Sequence, residues 1–103
     1  MIDVTVLYPN NNDAKFDFAY WTGTHFPLLS RELGDALKGA SAERGLAGGA
    51  PGSAAPWIAI ARLRFDSVET FQMAFAGHAA AIMSDIPNYT NITPTIQISE
   101  ILL

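Results

Sequence analysis

The stretch Trp57–Phe65, WIAIARLRF, decides how this chain folds. Read as a strand, it places Trp57, Ala59, Ala61, Leu63 and Phe65 on one side and Ile58, Ile60, Arg62 and Arg64 on the other. The first side is apolar throughout, and the second is apolar at Ile58 and Ile60. Helices can cover only one face of a sheet, so the second face needs another cover, and a second copy of the same sheet is the simplest one. Arg62 and Arg64 call for carboxylate partners across the sheet or the dimer, such as Glu43 or Glu100.

Working outward, Asp66 or Ser67 caps a helix, with Ser67, Glu69 and Thr70 forming a partial capping box. That helix carries Val68, Phe71, Phe75, His78 or Ala79, and Ile82 at helical spacing. Asp85–Pro94 (DIPNYTNITP) is irregular, and Thr95–Leu102 (TIQISEIL) is a last strand with Ile96, Ile98 and Leu102 opposing Ile101 and Leu103. Upstream, Ala47–Pro56 (AGGAPGSAAP) is a mobile hairpin loop placed to gate a pocket, preceded by a strand at Ala40–Leu46 (ASAERGL). Ile2–Tyr8 (IDVTVLY) is a strand with Ile2, Val4, Val6 and Tyr8 on one face, followed by the turn-rich Pro9–Asp13. The order β-α-β-β-α-β predicts an α+β, ferredoxin-like sandwich. In it a four-stranded antiparallel sheet carries two helices on one face, as a single domain over residues 1–103.

Phe16–Leu29, FDFAYWTGTHFPLL, supplies the first helical arm. Asp17 is its N-cap, and Phe18 and Trp21 with Tyr20 or Thr22 build an apolar face onto which His25 falls. Pro27 lacks an N–H and clashes with the carbonyl of Gly23, which predicts a kinked or broken helix, Asp17–Thr24 and then Pro27–Leu37, with Gly39 just past the end. A titratable ring and a freed acceptor then meet inside an apolar wall. Histidine exchanges protons near neutrality, so His25 is the candidate acid or base; its structural role would be a bond to a carbonyl such as that of Gly23.

The bulk properties narrow the classes. The chain has 103 residues, half of them hydrophobic and 16% charged, against about 25% charged in an average globular chain. So little charge on a small domain again suggests surface covered by a partner. The net charge of −4 and six scattered basic residues exclude a nucleic-acid stripe. There is no cysteine, hence no disulfide, thiolate nucleophile or zinc–thiolate site. Neither a leader nor a membrane span is evident, which predicts a cytoplasmic location. Asn88-Tyr-Thr90 and Asn91-Ile-Thr93 match the glycosylation pattern by chance in that setting.

The residues also resemble a known family. The Val4–Tyr8 strand with Pro9, Phe16-Asp17, Tyr20-Trp21 and His25-Phe-Pro27-Leu28 open the resemblance. Glu43-Arg-Gly-Leu-Ala-Gly-Gly49, Phe65-Asp66-Ser67, His78 and Asp85-Ile-Pro-Asn-Tyr89 complete it. Together they are similar to the EthD-like members of the dimeric α/β-barrel superfamily. The resemblance implies a homodimer joined through its sheet faces into a barrel with helices outside, and a pocket between helices and sheet. The family takes its name from bacterial breakdown of ethyl tert-butyl ether beside a cytochrome oxidation system. Its superfamily includes cofactor-free monooxygenases, lactone isomerases, polyketide cyclases and haem enzymes. Fold does not fix function.

The expected site therefore has His25 as acid or base, with Tyr8, Tyr20, Trp21, Trp57, His78 and Tyr89 around a small hydrophobic molecule. His78 on the second helix's stripe could ligate a haem or a metal, a further hypothesis that an absorption spectrum tests. No His-x-x-x-His or Glu-x-x-His pattern accompanies it, so a structural or pocket-lining role is expected. No cofactor and no metal are expected. The expected activity is a cofactor-independent oxidoreductase, monooxygenase-like, or an isomerase of xenobiotic catabolism. The rival is a binding or scaffold protein serving the components of an oxidase pathway.

Overall fold

The computed structural model describes residues 1–103. Strands β1 (Ile2–Pro9), β2 (Gly39–Arg44), β3 (Trp57–Phe65) and β4 (Thr95–Glu100) form one antiparallel sheet in the order β2-β3-β1-β4. Helical segments fall between β1 and β2 and between β3 and β4, giving the expected α+β, ferredoxin-like arrangement.

Register sets the core. Ile2 lies opposite Phe65, Val4 opposite Leu63, Val6 opposite Ala61 and Tyr8 opposite Ala59, all on one face. Leu29 and Leu33 of helix α2 (Phe26–Leu33) and Ile82 of α4 (Ala79–Asp85) close over Ile2, Val4, Leu63 and Phe65. A second cluster gathers Tyr8, Trp21, Ala59, Ala61, Tyr89 and Ile92. Each large side chain so buried contributes about 1.5–3 kcal/mol.

The arm between β1 and β2 does not break. Asp17 caps α1 (Phe18–Tyr20), accepting from the Tyr20 N–H at 3.0 Å. A π-helical turn, Trp21–His25, then leads directly into α2, with the Phe26 N–H bonded to the Trp21 carbonyl. His25 and Phe26 keep helical dihedrals. The wider turn accommodates the Pro27 ring, so of the expected kink or break the chain takes the milder form, a π bulge within a continuous arm. The Thr22 hydroxyl donates to the Phe18 carbonyl at 2.9 Å, satisfying an acceptor in the altered register. The arm also stops earlier than expected. Gly34 adopts φ +57°, ψ −139°, which favours glycine, and α2 ends at Leu33, while Gly39 already belongs to β2.

The expected second helix is two. Ser67 caps α3 (Val68–Ala76) by accepting from the Thr70 N–H at 3.1 Å, and α4 starts only after Gly77 and His78. His78 sits at φ −130°, ψ 1°, outside helical geometry.

Two expectations about the sheet also change. Ile96 lies opposite Val6 and Ile98 opposite Val4. Both are therefore on the helix side, yet they remain 51% and 40% exposed because the helices stop short of β4. The strand ends at Glu100, so Ile101 and Leu103 build no opposing face. The outward face is mixed: Leu7 opposes Ile60, Thr5 opposes Arg62, and Asp3 opposes Arg64, while Ile58 packs toward the Tyr8 cluster. Arg62 pairs with Glu43 as expected; Arg64 pairs with Asp3 at 3.3 Å, not with Glu100. No helix is long and apolar enough to cross a membrane.

Candidate functional site

The sheet face, α2, α3 and α4 enclose an apolar cavity of about 230 Å³. Val4, Val6 and Leu63 form its floor, Leu29, Phe71 and Ile82 its roof, and Pro94 and Ile96 its side toward β4. Only Tyr8, Trp21 and His25 bring polar side-chain atoms to the wall. The volume exceeds the roughly 150 Å³ apolar cavity known to admit benzene, so a single ring or a branched aliphatic compound fits.

The π turn presents Trp21 and His25 inward, the former 1% and the latter 4% exposed. His25 Nδ1 lies 2.8 Å from Asp85 Oδ2. Asp85, at the end of α4, also accepts at Oδ1 from the Tyr20 hydroxyl (2.6 Å) and from Asn88 Nδ2 (3.0 Å). Burial alone would raise the Asp85 carboxyl, but the hydrogen bonds from Tyr20, Asn88 and His25 outweigh it and hold the group below its ordinary range. An ionised carboxylate only accepts, which assigns the Nδ1 proton to His25 and leaves Nε2 unprotonated in the neutral ring. No protein group bonds Nε2, and no side-chain polar atom is buried without a partner. The ring is held in one orientation beside an apolar cavity, with a nitrogen chemically able to accept a proton.

Aromatic groups surround it. The Tyr89 ring lies 4.6 Å from the His25 ring, centroid to centroid, and its hydroxyl is 2.7 Å from that of Tyr8. Tyr8 meets Trp21 edge to face at 6.0 Å. Burial raises both tyrosines above their ordinary value. The neighbouring Tyr8 and Asp85 raise Tyr89 further, while the bond to Tyr89 partly offsets the rise at Tyr8. The Tyr20 hydroxyl is raised chiefly by its hydrogen bond to Asp85.

Of the residues expected at the site, Tyr8, Trp21 and His25 line the cavity, and Tyr20 and Tyr89 stand behind them. Trp57 does not line it; it lies at the start of β3 opposite Pro9, beyond a bulge. His78 does not line it either. Its Nδ1 bonds Glu32 Oε2 at 2.6 Å, and 43% of the side chain faces solvent, because the helix breaks there and turns the ring outward. The Ala47–Pro56 loop contributes nothing to the wall. It closes on its own hairpin through Gly45 N–H to Ile58 and Gly48 N–H to Ser53. A Cβ at Gly45 would run into the Trp57 carbonyl. The Gly23 carbonyl is not the partner of His25. Asp85 is, and the signal for it was a buried histidine needing an acceptor while Asp85-Ile-Pro-Asn-Tyr89 carried a carboxylate beside Tyr89. No three His, Cys, Asp or Glu side chains converge as a metal site would need.

Residues 11–93 match the EthD domain. The chain is similar to the crystal structure of an EthD-like protein from Ralstonia eutropha JMP134. Identity is 41% and the TM-score 0.95, over 99% of this chain and 92% of that one. It also superposes on an ethyl tert-butyl ether D (EthD) family protein from Bacillus halodurans C-125, with 20% identity and a TM-score of 0.74 over 99% of each chain. A dimeric protein of unknown function with a ferredoxin-like fold, from Bacteroides fragilis NCTC 9343, shares the fold alone. It shows 12% identity and a TM-score of 0.58 over 97% of this chain and 95% of that one. No functionally curated protein matches. The match over most of the chain and the close structural relative place it: the chain belongs to the EthD family.

Proposed function

We propose that the cavity binds a small hydrophobic organic compound and that His25 acts on it as acid or base. One observation supports this above the others: Nδ1 is anchored by Asp85 while Nε2 of the same ring stays unbonded at the apolar wall. Anchoring fixes tautomer and orientation, and the apolar wall excludes the water that would otherwise compete for Nε2. Such a site transfers protons without a dedicated metal, as an isomerase or a cofactor-independent oxidase does. The family name suggests an intermediate of ether-type xenobiotic degradation as ligand. The protein then works in the cytoplasm as a homodimer whose outward sheet faces meet, covering Leu7 and Ile60.

A second reading draws on the poverty of the wall. With so few polar atoms, the cavity also suits a carrier that hands an apolar intermediate to the components of an oxidation pathway. It predicts affinity with no turnover by the purified protein.

An imidazole NMR titration across the neutral range, with toluene, cyclohexanone and phenol as ligands, tests the cavity. Only His25 and His78 contribute signals. Ligand is expected to move the His25 resonances and leave those of His78 in place. A His25 ring indifferent to every compound removes the ligand site, and folded His25→Asn protein with full activity removes the acid–base role.

A further inference from the structure

Tyr8 and Tyr89 hold two hydroxyl protons but share a single hydrogen bond, at 2.7 Å, and neither hydroxyl bonds any other protein group. One O–H is therefore without a protein acceptor. Both rings are buried, Tyr8 2% and Tyr89 3% exposed, but only Tyr8 lines the cavity wall. An O–H buried with nothing to accept it is costly, so the spare proton belongs on the side where a ligand can take it. Tyr89 then donates to Tyr8, and Tyr8 offers its own O–H to the cavity. Burial keeps both phenols protonated, and so competent as donors, through the physiological range. The same cavity thus holds one donor backed by Tyr89 and one proton acceptor, His25, backed by Asp85.

We propose that Tyr8 and Tyr89 form an oxygen-binding subsite, and that with His25 it selects single-ring compounds bearing a carbonyl, enol or phenol oxygen and promotes enolisation of those with a carbonyl. The inference rests on the reading of the cavity as a ligand site. In the step, Nε2 of His25 takes a proton from the carbon beside the carbonyl. The C–H electron pair becomes the new C=C bond, and the carbonyl π pair moves onto oxygen, where the Tyr8 O–H stabilises the charge. The proton then returns from His25 to the same carbon or, in a conjugated ligand, to the far end of the new π system, which shifts the double bond. Nothing is oxidised or reduced. His25 and Tyr8 are the catalytic residues and Tyr89 a positioning residue.

Binding of para-nitrophenol and of nitrobenzene tests this, since the two share ring and nitro group but only the first has a hydroxyl. Ionised para-nitrophenol is coloured, so loss of its proton on binding is read directly at a pH acidic enough to keep the free compound neutral. Wild-type protein is expected to bind para-nitrophenol as the coloured anion, about tenfold or more tighter than nitrobenzene. Tyr8→Phe should lose both the preference and the colour while keeping its nitrobenzene affinity. Tyr89→Phe leaves the Tyr8 hydroxyl in place and should fall between, and it decides the question should Tyr8→Phe not fold. Equal binding of the two compounds by wild type, or an unchanged preference in the tyrosine variants, overturns the subsite while the cavity stands. Failure of both compounds to bind overturns the cavity as well. Deuterium uptake beside the carbonyl of cyclohexanone in heavy water, catalysed by wild type and not by Tyr8→Phe, is the expected sign of enolisation; binding without uptake overturns that step.

Discussion

His25 and Asp85 are 60 positions apart in the chain and joined by a 2.8 Å hydrogen bond from Nδ1 to Oδ2. The bond ties the π turn of the first arm to the end of α4, so the contact that orients the imidazole also joins two elements of the fold.

Asp85→Asn should retain the fold and lose most proton transfer, by about 10²–10⁴-fold, the usual contribution of a positioned acid–base group. An amide offers both donor and acceptor and no longer dictates which ring nitrogen carries the proton. The nitrogen chemical shifts of the His25 imidazole report the tautomer. A variant with wild-type rates and tautomer contradicts the assignment. Acid stability follows the same residue. Its carboxyl is lowered in the folded protein from an ordinary 3.8, so its stabilisation is whole above that value and is lost as pH falls through the folded one. Urea midpoints measured on acidification should decline more steeply in wild type than in Asp85→Asn.

The tyrosine pair gives the opposite sign. Tyr8 and Tyr89 are both raised above 10.0 in the folded protein, so the unfolded chain ionises first. Stability is intact below pH 10 and falls as pH rises beyond it. Tyr89→Phe should flatten that alkaline decline, measured by thermal unfolding on both sides of the transition. An identical slope in the variant argues against the buried pair as its cause.

His78→Ala should cost about 1 kcal/mol or less, because its bond to Glu32 is partly open to solvent and such pairs contribute little. Ligand affinity should not change. A large loss of affinity on this substitution would return His78 to the site.

Ile60→Asp places a charge on the outward sheet face beside Leu7 and should yield monomers by light scattering behind a sizing column. Ile98→Asp alters the uncovered helix side of β4 instead. Dissociation by Ile98→Asp alone transfers the interface to that edge.

Alternating runs such as Ile2–Tyr8 and Trp57–Phe65 were legible because burial of a strand face imposes a period of two, and the caps Asp17 and Ser67 were legible because their side chains satisfy local N–H groups. His25 was legible as an inward ring. Asp85 was not, because a partner 60 positions away leaves no local trace. His78 misled for a geometric reason. It keeps the helical spacing of Phe71 and Phe75, but the chain leaves helical dihedrals at that very residue, and spacing carries no information across such a break. The faces of β4 were hidden for a similar reason: alternation tells which residues share a side, not whether any helix reaches it.

Trp21, His25, Leu29 and Leu33 follow one another at intervals of four, and all are buried. On an ordinary α-helix each such step advances about 40° around the axis, so the row would wind through about 120° and leave the core. The π turn falls between the first two and runs slower around the axis, cancelling part of that drift. It therefore acts as a phase correction that keeps an indole, an imidazole and two leucines in one column. Forcing regular α pitch on the unchanged sequence would set Trp21 about 80° from Leu29 around the axis, carrying the indole away from Tyr8 and opening the wall beside His25; deleting Thr24 as well would bring the two back to within about 20°.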